Sequence, residues 1–147
     1  MSKQIKLKIV TPERLVFEEM VEQVSIPTTE GEITVLPEHI PLIVGLNSGD
    51  IVATIKGEHV PFAVVGGFLE VKKENGETLV AILADFAEHV ADISEGLVEK
   101  ARARAEELRS QMTNKDHVDF EHFEAELERS LTRVKIADKW RTRKYRK

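Results

Sequence analysis

A chain of 147 residues, 41% hydrophobic and 32% charged, has the composition of a globular protein and the length for one small domain with an appendage. The absence of cysteine removes disulfides, thiolate nucleophiles and cysteine-ligated zinc or iron–sulfur centres. The net charge of −5 is unevenly placed: residues 139–147 hold six basic side chains and no acid, leaving 15 basic and 26 acidic side chains, net −11, before them. That acidic body is a poor nucleic-acid surface, so no nucleic-acid partner is expected.

Met1-Ser2-Lys3-Gln4 leads straight into a strand pattern with no apolar signal region, and no run of about 18 apolar residues follows. The chain is therefore expected to act inside the cell without crossing a membrane itself. Ile5, Leu7 and Ile9 alternate with Lys6 and Lys8, the period of a half-buried strand. Short apolar runs predict further strands, giving 4–10, 14–18, 20–26, 32–35, 50–55, 59–65, 67–73 and 78–84, a density that suggests a β-sandwich over residues 1–88. Asn75-Gly76 lies between two of these runs and predicts a tight hairpin turn. Gly66-Gly67 marks a bulge or a close backbone approach. In Gly31-Glu32-Ile33-Thr34-Val35-Leu36-Pro37-Glu38-His39-Ile40-Pro41-Leu42, two prolines confine a Glu38-His39 pair between apolar flanks. A fixed backbone carrying polar residues suits a contact surface; equally, the prolines can shape a sandwich corner at which His39 satisfies nearby backbone.

Near Ala87 the period changes. Asp92-Ile93-Ser94-Glu95 offers a helix start, with Ser94 as an alternative cap. Leu97, Ala101, Ala105, Leu108 and Met112 then recur at helical spacing. Thr113-Asn114-Lys115-Asp116-His117 interrupts the pattern, and Phe120, Phe123, Leu127, Leu131 and Val134 form a second apolar stripe. The two predict an antiparallel helical hairpin over 89–138, followed by a basic tail over 139–147. Small alanines make hairpin packing modest, so a competing surface can draw the arm out. His117, Asp119 and His122 do not share a helix face from a firm start, and no metal site is expected there. No phosphate loop, nucleophile elbow or zinc-protease motif occurs, and the chain is not expected to be an enzyme.

Val10-Thr11-Pro12 with Leu15-Val16-Phe17, the 31–42 segment, Gly66-Gly67-Phe68-Leu69-Glu70-Val71 and Ala84-Asp85-Phe86-Ala87-Glu88 together resemble the epsilon subunit of the bacterial rotary F-type ATP synthase. The resemblance implies a ten-stranded sandwich and two C-terminal helices, bound to gamma and seated on the ring of c subunits. It also implies a non-catalytic rotor part on the cytoplasmic face of the cell membrane, held there through the complex, which restrains ATP hydrolysis when its arm extends toward the alpha and beta subunits. It places Glu32 and His39 near the c-ring, and makes Arg129, Arg133, Lys139, Arg141, Arg143 and Lys144 the basic residues of the inhibitory helix. Some family members bind ATP through an Ile/Leu-Asp-x-x-Arg-Ala motif. Aligned at Ile93, this chain has Ser94, Leu97 and Val98 where Asp, Arg and Ala are expected, although Glu88, Arg104, Arg129 and Arg133 stand at family positions; the three arginines equally suit a solvated helix face with ordinary ion pairs to Glu126 or Glu128. ATP binding is therefore expected to be weak or absent, with no cofactor. The rival reading is a free-standing adaptor whose Trp140 to Lys147 tail, basic with two aromatics, binds an anionic polymer or membrane.

Overall fold

The computed structural model of the chain describes residues 3–114 and 120–145. They form two compact units, the first ending at His89 and the second beginning at Val90.

The first unit has eight strands: β1 (Ile5–Val10), β2 (Leu15–Val21), β3 (Gln23–Thr28), β4 (Gly31–Val35), β5 (Leu42–Gly45), β6 (Gly49–Ile55), β7 (Glu58–Glu74) and β8 (Glu77–His89). They join in one sheet of order β2-β1-β8-β7-β6-β3-β4, with β5 on β7. The two long strands make the architecture. Asn75 and Gly76, at φ 54° and 79°, turn β7 into β8. Both values suit the two-residue turn whose twist matches its strands. On its other edge β7 changes partner midway: Glu58 to Val64 pair with β6, and Phe68 to Val71 pair with β5. The change falls at Gly66 and Gly67, whose φ angles are 61° and 112°.

The bend folds the sheet into two layers. One holds β4, β3, β6, the first half of β7 and the end of β8. The other holds β2, β1, the start of β8, the second half of β7 and β5. A single apolar core draws on both, with Ile5, Leu7, Ile9, Leu69, Val80 and Ile82 facing Val24, Ile26, Ile51, Ala53, Phe62 and Val64. The Phe17 and Phe62 rings meet edge-on across it, centroids 4.9 Å apart. Full burial of each such side chain contributes about 1.5–3 kcal/mol. Counting each bent strand as two gives the ten expected of the sandwich. Sequence runs 59–65 and 67–73 are thus one strand, and β5 went unseen because its four residues sit between a proline and a turn.

In the second unit, a 3₁₀ turn (Val90–Asp92) precedes α1 (Glu95–Asn114), and α2 spans Phe120–Tyr145. The Ser94 hydroxyl accepts the Leu97 amide at 3.2 Å, so Ser94 is the cap. Val98, Ala101, Ala105 and Leu108 are buried on one face of α1. On α2 the predicted stripe fails at Leu131, which is 39% exposed, while Ser130, Ile136 and Ala137 are buried. The segment from 139 onward is not a separate tail, because α2 continues through it to Tyr145; Arg141 suits the negative end of the helix dipole. The interruption expected at 113–117 begins later, since α1 continues through Thr113 and Asn114; its remaining residues 115–117, together with Asp119, lie outside the described residues.

A Cβ on Gly67 would stand 2.1 Å from the Leu83 carbonyl oxygen, whereas one on Gly66 would meet the movable end of Asp85. Gly67→Ala is expected to destabilise the chain by at least about 2–4 kcal/mol in urea unfolding, and Gly66→Asn by no more than about 1 kcal/mol. Equal losses would remove the distinction.

Candidate functional site

Strand alternation sends every second side chain of the β2-β1-β8-β7-β5 layer outward. On this outer face Phe68 lies opposite Leu83, Leu83 beside Val10, and Val10 opposite Leu15. Four adjacent strands thus carry one apolar row. Phe68 is 63% and Leu83 58% exposed, and Ile43 on β5 is also exposed. Leu15 joins the row through a bulge: Ile9 pairs with Phe17 but Val10 with Leu15, leaving Val16 extra. In an unbulged strand Leu15, two residues from Phe17, would share its inward phase. An exposed apolar row spanning a sheet marks an interaction surface. Sequence reasoning missed it, although a signal was present: Phe68 occupies the same outward phase as Glu70 and Lys72.

A second surface feature follows β4. The His39 amide donates to the Leu36 carbonyl at 3.1 Å, closing a turn over Leu36-Pro37-Glu38-His39. Pro37 presets its first corner, and Glu38, at φ 76°, takes the second, as in a type II turn. Glycine or asparagine normally fills that corner; a side chain with a Cβ is strained there by about 1–2 kcal/mol. The Glu38 amide donates to the Thr78 hydroxyl at 2.8 Å. Its carboxylate accepts from Lys3 Nζ at 2.8 Å and from Lys73 Nζ at 2.7 Å. Hydrogen bonds from these two ammonium groups, first Lys3 and then Lys73, pull the Glu38 carboxyl down to about 2. His39 is half-buried, and its Nδ1–H donates to the Ile40 carbonyl at 2.7 Å. Glu32 is exposed on β4, opposite Pro27, and Ile40 beside the turn is 73% exposed.

The residues expected around ATP fall on different units. Glu88 is half-buried near the end of β8, and Ile93, Arg104, Arg129 and Arg133 belong to the helical unit. Arg104 is engaged by carboxylates. Its Nε and Nη2 donate to the two Glu126 oxygens at 2.6 and 3.1 Å, and Nη1 lies 3.0 Å from Glu107. The bidentate pair lowers the Glu126 carboxyl and raises the Arg104 guanidinium from their ordinary values. It ties α1 to α2, as do Arg102 with Asp138 at 3.5 Å and Arg141 with Glu95 at 3.9 Å. Arg129 is exposed and Arg133 half-buried on α2. The Lys139 ammonium lies 5.9 Å from the centroid of the Trp140 ring. Arg143 and Lys144 continue the backbone of α2, and their side chains lie outside the described residues. Among the described residues no helix is long and apolar enough to cross a membrane.

Comparison with known proteins agrees with this geometry. Residues 4–90 match the family described as "ATP synthase, Delta/Epsilon chain, beta-sandwich domain". The ATP synthase epsilon chain of Herpetosiphon aurantiacus is 38% identical over 140 residues, 95% of this chain and 98% of that one. The corresponding chain of Syntrophobacter fumaroxidans is 40% identical over 139 residues, 95% and 99% of the two chains. Among solved structures, a chain of the Euglena gracilis mitochondrial ATP synthase (OSCP/F1/c-ring) shares the fold with a TM-score of 0.64 at 24% identity, over 97% of this chain and 82% of that one. The bent sandwich, the helical hairpin and these matches along almost the whole length lead to one assignment: the chain belongs to the epsilon chain family of ATP synthase.

Proposed function

We propose that this non-catalytic subunit is a rotor part with a docking half and a braking half, working on the cytoplasmic face of a bacterial cell membrane through its complex. The observation that carries the reading is the apolar row of Leu15, Val10, Leu83 and Phe68, a surface that water disfavours and a protein partner would cover. Gamma is the partner proposed for it. The end of the sandwich bearing Glu32 and the Leu36–His39 turn is assigned to the c-ring, where the exposed Ile40 adds apolar contact. The helical hairpin is assigned to restraint of ATP hydrolysis. In its closed form the hairpin is held by a narrow apolar seam in which alanines stand beside Val98, Leu108 and Ile136, and by solvent-exposed ion pairs that add little, so a competing surface on alpha and beta can draw it open.

ATP is not proposed as its regulator. The two motif positions at Ser94 and Leu97 lack the expected groups, and at about 1–3 kcal/mol per lost contact affinity falls by one to several orders of magnitude. Arg104 adds a second obstacle, since a phosphate would have to displace Glu126 from its guanidinium fork.

Hydrolysis by an epsilon-depleted catalytic complex from the same cell, titrated with the full chain and with a version ending at Ala91, tests the division of labour. The full chain is expected to bind and inhibit, and the shortened chain to bind without inhibiting; binding by neither would sink the assignment to gamma. Leu83→Asp with Phe68→Asp is expected to leave folding intact and weaken association with gamma by at least about tenfold. Calorimetric titration with ATP is expected to show no saturable micromolar site, and finding one would refute the account of Arg104.

A further inference from the structure

We infer that Glu38 is a positioning residue whose bonds to Lys3, Lys73 and Thr78 hold the left-handed corner of the Leu36–His39 turn and thereby set where His39 is presented. The inference deepens the reading of this end of the sandwich as the c-ring contact and rests on it for its functional half.

Three elements remote in sequence converge on this one residue. Lys3 lies just before β1, Lys73 near the end of β7, and Thr78 at the start of β8. They are neighbours because Thr78 pairs with Ile5 on one side and Lys73 on the other. The turn leaves β4, a strand of the opposite layer, so Glu38 ties one layer's edge to the other layer's corner. Glycine at this corner would relieve the backbone and leave the turn attached only through its amide. Glutamate accepts the unfavourable φ and uses both carboxylate oxygens, one for each lysine. The strained conformation is therefore held from outside, by groups that meet only in the folded sandwich. The next residue, His39, has its amide committed to the turn and Nδ1 to Ile40, so its ring direction follows the corner that Glu38 fixes. The depressed Glu38 carboxyl agrees with a clamp that stays ionised throughout the neutral range.

Glu38→Gly separates positioning from mere stability, because it relieves the strain while cutting both ion pairs; Glu38→Gln keeps the shape and loses the charge. The full chain of each would be followed by thermal unfolding, by ¹⁵N relaxation of the Glu38 and His39 amides, and by ATP-driven proton pumping per ATP in the reassembled complex. Glu38→Gly is expected to melt close to the parent, yet to show looser amides at these positions and pumping reduced by about twofold or more, with Glu38→Gln between them. Amides that stay ordered in Glu38→Gly overturn the clamp, and loosened amides with unchanged pumping overturn its role at the ring. Should the parent fail to join the complex, the assignment of function falls while the relaxation result still decides the clamp.

Discussion

The close approach between Gly67 and the Leu83 carbonyl is the constraint from which the sandwich follows. A backbone that must pass within 2.1 Å of where a Cβ would stand admits no other residue, and the positive φ there turns β7 out of one layer and into the next. With β7 bent and β8 following it, one sheet becomes two facing layers, and the apolar halves of β1, β3, β6 and β8 have something to bury against. The same bend places Phe68 and Leu83 side by side on the outer face, immediately after the glycines. The surface assigned to gamma is in this sense a by-product of the fold: residues next to a bend that packs inward on one side are displayed on the other.

Much of this was readable from residue order. The alternation of Ile5, Leu7 and Ile9, the Asn75-Gly76 turn, the Gly66-Gly67 irregularity and the change to helical spacing near Ala87 all depend on neighbours a few positions away, and local signals survive in a single sequence. What was lost depends on distant pairing. The continuity of β7 through Gly66 and the four-residue β5 emerge only when edge partners are known. The Val16 bulge, which redirects Leu15, shows itself only as a register shift against β1. On α2 the expected stripe holds at Phe123, Leu127 and Val134, in line with buried Ser130 and Ala137, and fails at exposed Leu131, because how wide a face turns inward depends on what it packs against.

The candidate site divides along the same line. The 31–42 segment stood out by its prolines, and the family resemblance pointed to Glu32 and His39 within it. Glu38 stood out with His39 as a polar pair between the prolines, but its bonds to Lys3, Lys73 and Thr78 did not. Its positive φ and its two lysines, each 35 residues away, leave no trace in local composition. Arg104 shows the converse. Its family position suggested a phosphate ligand and its place on a charged helix face an ion pair to Glu126 or Glu128; the structure gives its fork to Glu126, a residue 22 positions on. Basic side chains at helical spacing state a charge and not its partner, which is why spacing alone could not separate an anion site from an interhelix pair.

The parallel pairing of β1 with β8 bears on how the chain is made. Ile5 finds Thr78, and Val10 finds Leu83, so β1 leaves the ribosome with one of its two neighbours more than 70 residues behind it. Such non-local pairing is slow, because a long loop must close before any contact forms to reward it. Until β8 emerges, β1 and β2 can exist only as an isolated apolar ribbon, the kind of species that aggregates or engages chaperones. The helices come last and fold on local contacts, within a stretch of some tens of residues. The sandwich half is therefore the slow, vulnerable step of biosynthesis, and the helical half is added quickly to a scaffold that has only just closed.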